Sequence, residues 1–341
     1  MPTNPSLPLA ATLARGLLAV LLTASSPGGS GILGDQPTVV QAFIDDLSAR
    51  QDLNRAWLAQ WLERAHFRQD IIDAISKPAE AKPWYKYRPI FVNPARITDG
   101  VNFWNAHASL LKRAADQYGV PPEIIVAIIG VETRYGQNNG GYLALDALAT
   151  LAFGYPKRAP FFRKELEQLF LLARDERLDL AQLKGSYAGA LGVPQFMPSS
   201  YRNYAIDFDG DGHRDLLSSA ADAIGSVANY FKGHGWQTDG RVVLPLPHDQ
   251  VISPELVNTD LKPTKTLAEL RTAGLSFDSQ GLPPSTGVAL LDFEVADDKD
   301  YWLCLTNFYV ITRYNGSKHY AMAVYQLAQE ILAQRSRLLS R

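Results

Sequence analysis

One carboxylate stands out because of the apolar residues that surround it. Glu132 lies near the end of the segment 121–136, which begins with two prolines and is apolar on almost every helical face. Proline at the start and an acid in the first turn are typical of a helix N-terminus, and Gly136 suits a helix end. A helix that is apolar all round is buried. Burial favours the protonated carboxylic acid, which predicts a general acid of the kind that glycosidases use. The alternative is a structural ion pair with Arg134 or a distant lysine.

Two later segments carry polar side chains among turn residues. The segment 186–201 contains two glycines and two prolines and includes Ser186 and Gln195. The segment 312–320 contains two tyrosines and Asn315 around a turn. Glycine turns bring backbone close to a ligand, and aromatic rings with polar tips suit the apolar faces and hydroxyl edges of sugars. Each segment by itself is also explained by a turn that packs on a core.

A third pattern places acidic residues at the spacing of calcium ligands. The segment 207–215 has aspartates at positions 1, 3 and 5 and Gly212 at position 6, as in the first half of an EF-hand. Ser218 stands where the bidentate glutamate is usual, and a longer loop ending at Asp222 would restore that ligand. We expect structural Ca²⁺; a solvated acidic turn is the alternative, and Asp215 would act through water or not at all. The predicted ligands are Asp207, Asp209, Asp211, the backbone carbonyl of His213, and Asp222.

The remaining sequence is mainly helical, with a stretch of short strands. The expected organisation is a signal peptide and linker at 1–30, an N-terminal helical region at 36–100, a catalytic core at 101–240, a small β domain at 241–307, and a C-terminal segment at 308–341. The strands are expected from short β-branched or aromatic runs separated by Pro, Gly and Asp. The aromatic, basic segment 84–89 is interpreted as a linker or a groove lip. Helix is expected again from about Ser317.

Composition limits the class of protein. The chain has 341 residues, 46% of them hydrophobic, and a formal charge of −2, which is ordinary for a soluble globular protein and argues against nucleic-acid binding. The single cysteine, Cys304, excludes an intramolecular disulfide and is expected to be buried. Arg15, the apolar run 16–22 and the small residues after it are typical of a secretory signal peptide. We expect an exported protein without a membrane anchor.

Three motifs occur together in a recognisable order. The segments 130–136, 189–199 and 313–315 resemble those of the B-type lytic murein transglycosylases, and the resemblance runs from about residue 36 to the C-terminus. It implies an α+β, mainly α fold, with a lysozyme-like helical core, an N-terminal helical domain and a small inserted β domain. The substrate would be peptidoglycan glycan strands. No cysteine follows the apolar run, which departs from the membrane-bound members and predicts a soluble, periplasmic form.

The resemblance also assigns residues. It implies that Glu132 acts alone, first as acid and then as base, in cleaving the β-1,4 bond between N-acetylmuramic acid and N-acetylglucosamine with formation of a 1,6-anhydro end. The residues implied around the cleaved bond are Ser186, Gln195, Tyr230, Tyr314, Asn315 and Tyr320. The residues implied along the groove are Tyr87, Lys157 and Arg158. No organic cofactor is expected, and other cell-wall enzymes are candidate partners.

Three readings of the function stay open at this point. A hydrolytic muramidase would cut the same bond, and ordinary glycosidases do so with two carboxylates. The candidates for a second carboxylate are Asp146, Asp175 and Asp207, although Asp146 is better explained as a capping or paired residue. A non-catalytic, calcium-stabilised wall-binding module would not need Glu132 at all.

Overall fold

The computed structural model describes residues 32, 37–77, 82–296 and 298–340. The predicted signal peptide and linker at 1–30 therefore lie outside the described residues. Within the described ranges, no helix has the length and apolar character needed to cross a membrane.

Helices form most of the described chain. The first half contains α1 (Pro37–Gln51), α2 (Arg55–Arg64), α3 (Gln69–Ile75), α4 (Trp84–Phe91), α5 (Pro94–Ala106), α6 (Ala108–Tyr118), α7 (Pro122–Thr133), α8 (Ala144–Gly154) and α9 (Ala159–Asp175). The second half contains α10 (Pro198–Tyr204), α11 (Ala220–Gly233), α12 (Leu267–Thr272), α13 (Thr306–Thr312) and α14 (Lys318–Leu339). The strands are β1 (Tyr142–Leu143), β2 (Lys184–Gly185), β3 (Val243–Pro245), β4 (Lys265–Thr266), β5 (Gly287–Glu294) and β6 (Lys299–Cys304).

The helix that carries Glu132 is the buried centre of the larger core. Every residue of α7 from Ile124 to Val131 is buried, which confirms the prediction of a helix surrounded by protein. The helix stops at Thr133 because the next three residues, Arg134, Tyr135 and Gly136, all have a positive φ. Left-handed backbone cannot continue a right-handed helix. The chain therefore turns sharply just after Glu132.

A small antiparallel sheet is buried on both faces. The strand order is β3-β6-β5-β4, and Leu290 pairs with Leu303 at its centre. Successive side chains of a strand point to opposite faces. Ala289 and Leu291 accordingly join the core that contains α7 and α14, while Val288 and Leu290 join a smaller core with α12. The predicted strands are confirmed; the two-residue strand β4 and the helices α12 and α13 were not foreseen.

A second large core joins the N-terminal helices to the helices that follow α7. It contains Ile44 and Leu47 of α1, Leu58 of α2 and the buried faces of α8 and α9. The helix α14 begins at Lys318, as predicted from about Ser317, and packs against α7. This packing brings the C-terminal segment against the residues around Glu132.

The segment 84–89 is not a linker. It forms most of α4, in which Trp84 and Tyr87 are 3% and 1% exposed. The two aromatic residues are three positions apart and therefore lie on one face of the helix. That face packs against Phe293 of β5 and against His319. Trp84 and Tyr87 form a buried helix face, Lys86 is exposed, and Arg88 is partly buried with its Nε donating to Gln326 of α14.

Candidate active site

Glu132 sits in the last turn of α7 with its side chain partly exposed. The phenol of Tyr320, in the first turn of α14, donates a hydrogen bond to Glu132 Oε1 at 2.5 Å. Burial raises the pKa of Tyr320, and the negative charge of Glu132 raises it further. The phenol therefore stays protonated and remains a hydrogen-bond donor to the carboxylate.

Thr133 ties the end of α7 to the loop that contains Gln195. Its Oγ1 donates to the carbonyl oxygen of Val193 at 2.8 Å and accepts a hydrogen bond from the amide of Gly136 at 3.0 Å. Thr133 is 1% exposed, so both bonds are shielded from water. They fix the loop relative to Glu132. The sequence analysis did not single out Thr133, although a polar residue directly after Glu132 at the end of an apolar helix could have indicated it.

The glycine- and proline-rich loop folds back on itself. Leu191 and Phe196 exchange backbone hydrogen bonds at 2.8 and 3.0 Å, which leaves Gln195 at the tip of a tight turn with φ of 52°. The side-chain amide of Gln195 donates to the carbonyl oxygens of Gly192 at 2.8 Å and Asn139 at 3.2 Å. Asn139 is a further residue that sequence reasoning missed. The rotamer of Gln195 is thus held from two sides.

Ser186 stands where the same loop begins. Its Oγ accepts hydrogen bonds from the amides of Ala188 at 3.2 Å and Ala190 at 3.0 Å. A hydroxyl has two acceptor positions and one proton. Both of these bonds use acceptor positions, so the hydroxyl proton remains to be donated.

The predicted tyrosines form one packed group. The rings of Tyr314 and Tyr320 lie 6.4 Å apart and within 12° of parallel, and the rings of Tyr230 and Tyr314 lie 4.8 Å apart. The phenol of Tyr314 donates to Pro194 O at 2.5 Å, and that of Tyr230 donates to Arg313 O at 2.5 Å. The group therefore joins α11, the Gln195 loop and the turn 313–317. Asn315 follows Tyr314 in that turn.

Three predicted groove residues have other surroundings. Tyr87 is 1% exposed and its ring lies 5.6 Å from that of His319, so the closed packing of α4 removes it from the surface. Tyr87 also lies close enough to Tyr320 to raise the pKa of that phenol, and its expected place along the groove stays a prediction. Arg158 precedes α9, and its guanidinium lies over Phe161 at 4.5 Å; burial lowers its pKa. Lys157, beside it, is exposed.

The candidate second carboxylates are engaged elsewhere. Asp146 is 5% exposed and accepts a hydrogen bond from the amide of His66 at 2.9 Å, which agrees with its interpretation as a capping or paired residue. Asp175 pairs with Arg174 and Arg202 at 2.9 and 3.2 Å. Asp207 belongs to the acidic loop.

Arg134, the expected alternative partner of Glu132, instead forms a salt bridge of 3.1 Å with Asp99. A pocket of about 400 Å³ opens between these groups and Glu132. Its lining residues are Arg96, Val131, Glu132, Thr133, Arg134, Gln137 and Asn138. Arg96 had no sequence signal, because it comes from α5, far from the motifs.

The acidic loop brings three carboxylates together. Oxygen atoms of Asp207, Asp209 and Asp211 all lie within 4.8 Å of one another. The carboxylate of Asp207 also accepts hydrogen bonds from the amides of Gly210 at 2.7 Å and Gly212 at 2.8 Å. These amides, that of Gly212 most strongly, hold the pKa of Asp207 below its ordinary value. The donor set is all oxygen, which suits a hard cation such as Ca²⁺.

Asp222, the predicted last ligand, lies outside that group of three. Its two carboxylate oxygens accept hydrogen bonds from the amides of Phe208 and Asp215, both at 2.7 Å. Asp222 is 1% exposed, and burial raises its pKa although the two amides oppose the rise. Asp222 therefore links Phe208 and Asp215, near the two ends of the acidic loop, through buried hydrogen bonds. His213, predicted to act through its carbonyl, donates its amide to Asp211 at 2.8 Å.

Comparison with known proteins establishes the family. The family model described as "Transglycosylase SLT domain" matches residues 35–329. The membrane-bound lytic murein transglycosylase B of Escherichia coli (strain K12) is 44% identical over 331 residues, which cover 91% of this chain and 90% of that protein. The chain therefore belongs to the lytic murein transglycosylases, enzymes whose family activity is peptidoglycan cleavage.

Solved structures agree with this assignment. The catenated lytic transglycosylase SltB1 from Pseudomonas aeruginosa is 50% identical, with a TM-score of 0.83 over 89% of this chain and 99% of that chain. The Escherichia coli lytic transglycosylase Slt35 in complex with calcium is 43% identical, with a TM-score of 0.80 over 90% and 96% of the two chains. The resemblance and the mainly helical, lysozyme-like fold class expected from sequence are confirmed.

Proposed function

We propose that this enzyme cleaves the β-1,4 bond between N-acetylmuramic acid and N-acetylglucosamine, with Glu132 acting first as acid and then as base. The observation that carries the proposal is the 2.5 Å hydrogen bond from Tyr320 to Glu132, which holds the carboxyl group at the edge of a pocket. The Glu132 carboxyl group is partly buried but remains accessible from the pocket. The membership of the chain in the lytic murein transglycosylases supports this kind of chemistry.

The reaction needs two proton transfers by one group. The protonated Glu132 donates to the glycosidic oxygen as the bond to C1 of muramic acid breaks. The N-acetyl group of the substrate stabilises the positive charge that forms at C1. Glu132, now ionised, takes the proton of the C6 hydroxyl as that oxygen attacks C1 and closes the anhydro ring. Tyr320 donates a hydrogen bond throughout, which lowers the cost of the ionised state.

The sugar must be held so that its own hydroxyl reacts faster than water. Well-oriented intramolecular nucleophiles reach effective molarities of about 10⁵ to 10⁸ M, far above water at about 55 M. Gln195 is suited to this role because its side-chain nitrogen is occupied by two carbonyl groups, which leaves its oxygen as an acceptor in a fixed position. Ser186 retains a hydroxyl proton to donate.

Digestion of purified murein in ¹⁸O-water tests the reaction. We expect muropeptides with anhydro ends, one water lighter than reducing ends and without label. Label at the new muramic acid end would make the enzyme a hydrolytic muramidase. Full cleavage by a Glu132→Gln variant would instead remove Glu132 from the chemistry, and murein binding without cleavage by the parent protein would favour a wall-binding module.

We propose that the acidic loop binds Ca²⁺ through Asp207, Asp209 and Asp211, in a structural role. Support comes from the convergence of the three carboxylates and from the relative Slt35, which was solved in complex with calcium. Bound calcium would neutralise carboxylates that otherwise repel one another and would stabilise the turn before α11. In this proposal Asp222 supports the loop through its hydrogen bonds to two backbone amides and is not one of the three ligands.

The substrate suggests the compartment. A periplasmic enzyme, soluble after removal of a signal peptide, is the form that the N-terminal sequence favours, and glycan strands of the wall are the expected partner. Cell fractionation with a full-length, tagged chain tests this: we expect the activity in the periplasmic extract. Recovery with the membrane pellet after a high-salt wash would contradict it.

A further inference from the structure

A buried carboxylate away from Glu132 binds the end of the Gln195 loop. This residue is Glu165, in α9. Its Oε1 accepts a hydrogen bond from the hydroxyl of Ser199 at 2.7 Å, and its Oε2 accepts one from the amide of Ser199 at 3.0 Å. Acidic side chains are almost never buried this deeply without a partner. Because both hydrogen bonds come from one residue, the carboxylate fixes the backbone and the side chain of Ser199 together.

The amide that Glu165 binds belongs to the first turn of α10. This helix begins at Pro198, which has no N–H, and Ser199 is its second residue. The N-cap residue is Met197, whose thioether is not among the side chains that usually cap a helix. The first amides of a helix need acceptors from outside the helix, and negative charge is favoured there. Glu165 supplies both from another helix.

The Gln195 loop is attached to the protein on both sides of Gln195. Before Gln195, the hydrogen bond from Thr133 Oγ1 to Val193 O ties the loop to α7. After Gln195, the two hydrogen bonds of Ser199 tie the loop to α9. Gln195 itself has a φ of 52°, a left-handed conformation that residues with a Cβ rarely adopt. Such a conformation persists only where the surrounding structure holds it, and these two attachments do so.

A side chain that only filled the space between α9 and α10 would not need a charge. On the same helix, Phe162 and Leu166 are apolar and buried, and an apolar residue avoids the free energy of desolvating a carboxylate. Burial raises the pKa of Glu165, while the hydrogen bonds from Ser199 and the charge of Arg158 oppose the rise. The hydrogen bonds to Ser199 are therefore what distinguishes Glu165 from its apolar neighbours.

We propose that Glu165 is a positioning residue, which holds the end of the Gln195 loop so that Gln195 keeps the muramic acid oriented for attack by its own C6 hydroxyl. The inference rests on the proposed function, in which Gln195 orients the sugar. Loosening the loop should let water compete for C1. Water then forms the bond to C1 in place of the C6 hydroxyl, Glu132 takes its proton, and the product is a reducing end. The signature of the role is therefore a change of product together with a change of rate.

The test digests purified murein in ¹⁸O-water and measures kcat, KM and the labelled fraction of new muramic acid ends. Glu165→Met is close in size and offers Ser199 no strong acceptor. We expect its kcat to fall about tenfold, the effect typical of one charge-assisted hydrogen bond, with a smaller change in KM and a labelled fraction above that of the parent. Glu165→Gln can still accept from the amide of Ser199 and donate to its hydroxyl, so it should recover part of the kcat and of the unlabelled product.

Glu167→Met is the matched control. Glu167 is a second buried carboxylate of α9, but it accepts its hydrogen bonds from Arg50 and Gln51 of α1. This variant should lose stability and keep the parent kcat and product.

Equal losses of kcat in Glu165→Met and Glu167→Met, or an unchanged labelled fraction in folded Glu165→Met, would overturn the proposal. If Glu165→Met does not fold, Ser199→Ala removes one of the two hydrogen bonds and gives the same readout with a smaller change. Label at all ends made by the parent would refute the proposed reaction instead, and the comparison of kcat between the two variants would still decide the role of Glu165.

Discussion

The two sites of this enzyme are assembled in opposite ways. Glu132 and Tyr320, which share a hydrogen bond, are 188 residues apart in sequence, and the Gln195 loop comes from a third place. In the acidic loop, Asp207 accepts hydrogen bonds from amides only three to five residues away. The first arrangement exists only in the complete fold, whereas the second is mostly a local turn. Substitutions in the Glu132 site should therefore lower catalytic activity, and substitutions in the acidic loop should lower stability.

The largest expected effect separates the two directly. Glu132→Gln should lose activity by a factor of about 10² to 10⁴, the typical contribution of general acid–base catalysis, because an amide cannot donate and recover a proton. Its melting temperature should stay close to that of the parent. The measurements are murein digestion with product quantification and thermal unfolding.

Glu123→Gln provides the control on the same helix. Glu123 is in the first turn of α7, and burial raises its pKa, so it shares the helix and the partial burial without reaching the site. It should keep activity within about a factor of two. Equal losses in the two variants would mean that the helix, and not the acid at its end, is what activity requires.

The next effect concerns the acidic loop. Saturating Ca²⁺ should stabilise the parent by about 2.7 kcal/mol when calcium is a hundredfold above its Kd, because only the folded loop binds it. Asp207→Ala should abolish the calcium-dependent shift in melting temperature. Asp222→Ala should lower the melting temperature even in chelator, because two backbone amides lose their buried partner.

The contrast between these two aspartates is the sensitive part of that experiment. A parent melting temperature that does not respond to calcium would contradict the site. If instead Asp222→Ala is as stable as the parent in chelator and loses only the calcium response, Asp222 is a ligand, as the sequence interpretation had it.

The sequence was informative where patterns are local. The buried helix of Glu132 followed from its continuous apolar residues, and the strand runs of β5 and β6 from their β-branched and aromatic content. The convergence of Asp207, Asp209 and Asp211 followed from their alternate spacing. In each case the sequence pattern that carries the prediction lies within one element or one turn.

Sequence reasoning failed where distant packing decides. The helix formed by residues 84–89 could not be foreseen, because Phe293 and His319, on which Trp84 and Tyr87 pack, lie more than 200 residues later in the chain. Arg96 could not be connected with Glu132, since it comes from a helix that carries no motif. The hydrogen bonds of Asp222 to two backbone amides could not be foreseen from its spacing, which predicts a calcium ligand, and that role stays a prediction.

A smaller catalytic effect should come from the hydrogen bond to Glu132. Tyr320→Phe removes the donor at Oε1 but keeps the ring that packs against Tyr314. We expect kcat to fall about tenfold, the value of one charge-assisted hydrogen bond. The alkaline limb of the rate profile should move to higher pH, because the ionised carboxylate loses a stabilising partner. Tyr325→Phe, on the same helix, is the control and should leave the profile in place.

The smallest expected effect examines how the long-range site is held together. Asp292 of β5 forms salt bridges with Lys299 at 2.8 Å and with Lys318, the first residue of α14, at 2.5 Å. Burial alone would raise the pKa of Asp292, but the hydrogen bonds from the two lysines outweigh it and hold the pKa at about 2. A carboxylate with a lowered pKa contributes stability above its ordinary pKa of 3.8, and that contribution is lost as pH falls from there toward about 2.

The corresponding variant is Asp292→Asn, which should be less stable than the parent by on the order of 1 kcal/mol at neutral pH, once solvent screening is allowed for. The difference in melting temperature between parent and variant should shrink as pH falls below about 4 and vanish near 2. Because Lys318 is two residues from Tyr320, the variant should also lose some activity at neutral pH, unlike Asp222→Ala assayed with calcium below its melting temperature. A stability difference that stays constant with pH would mean that the pair contributes through packing, and that the start of α14 is held by the buried residues around Tyr320 alone.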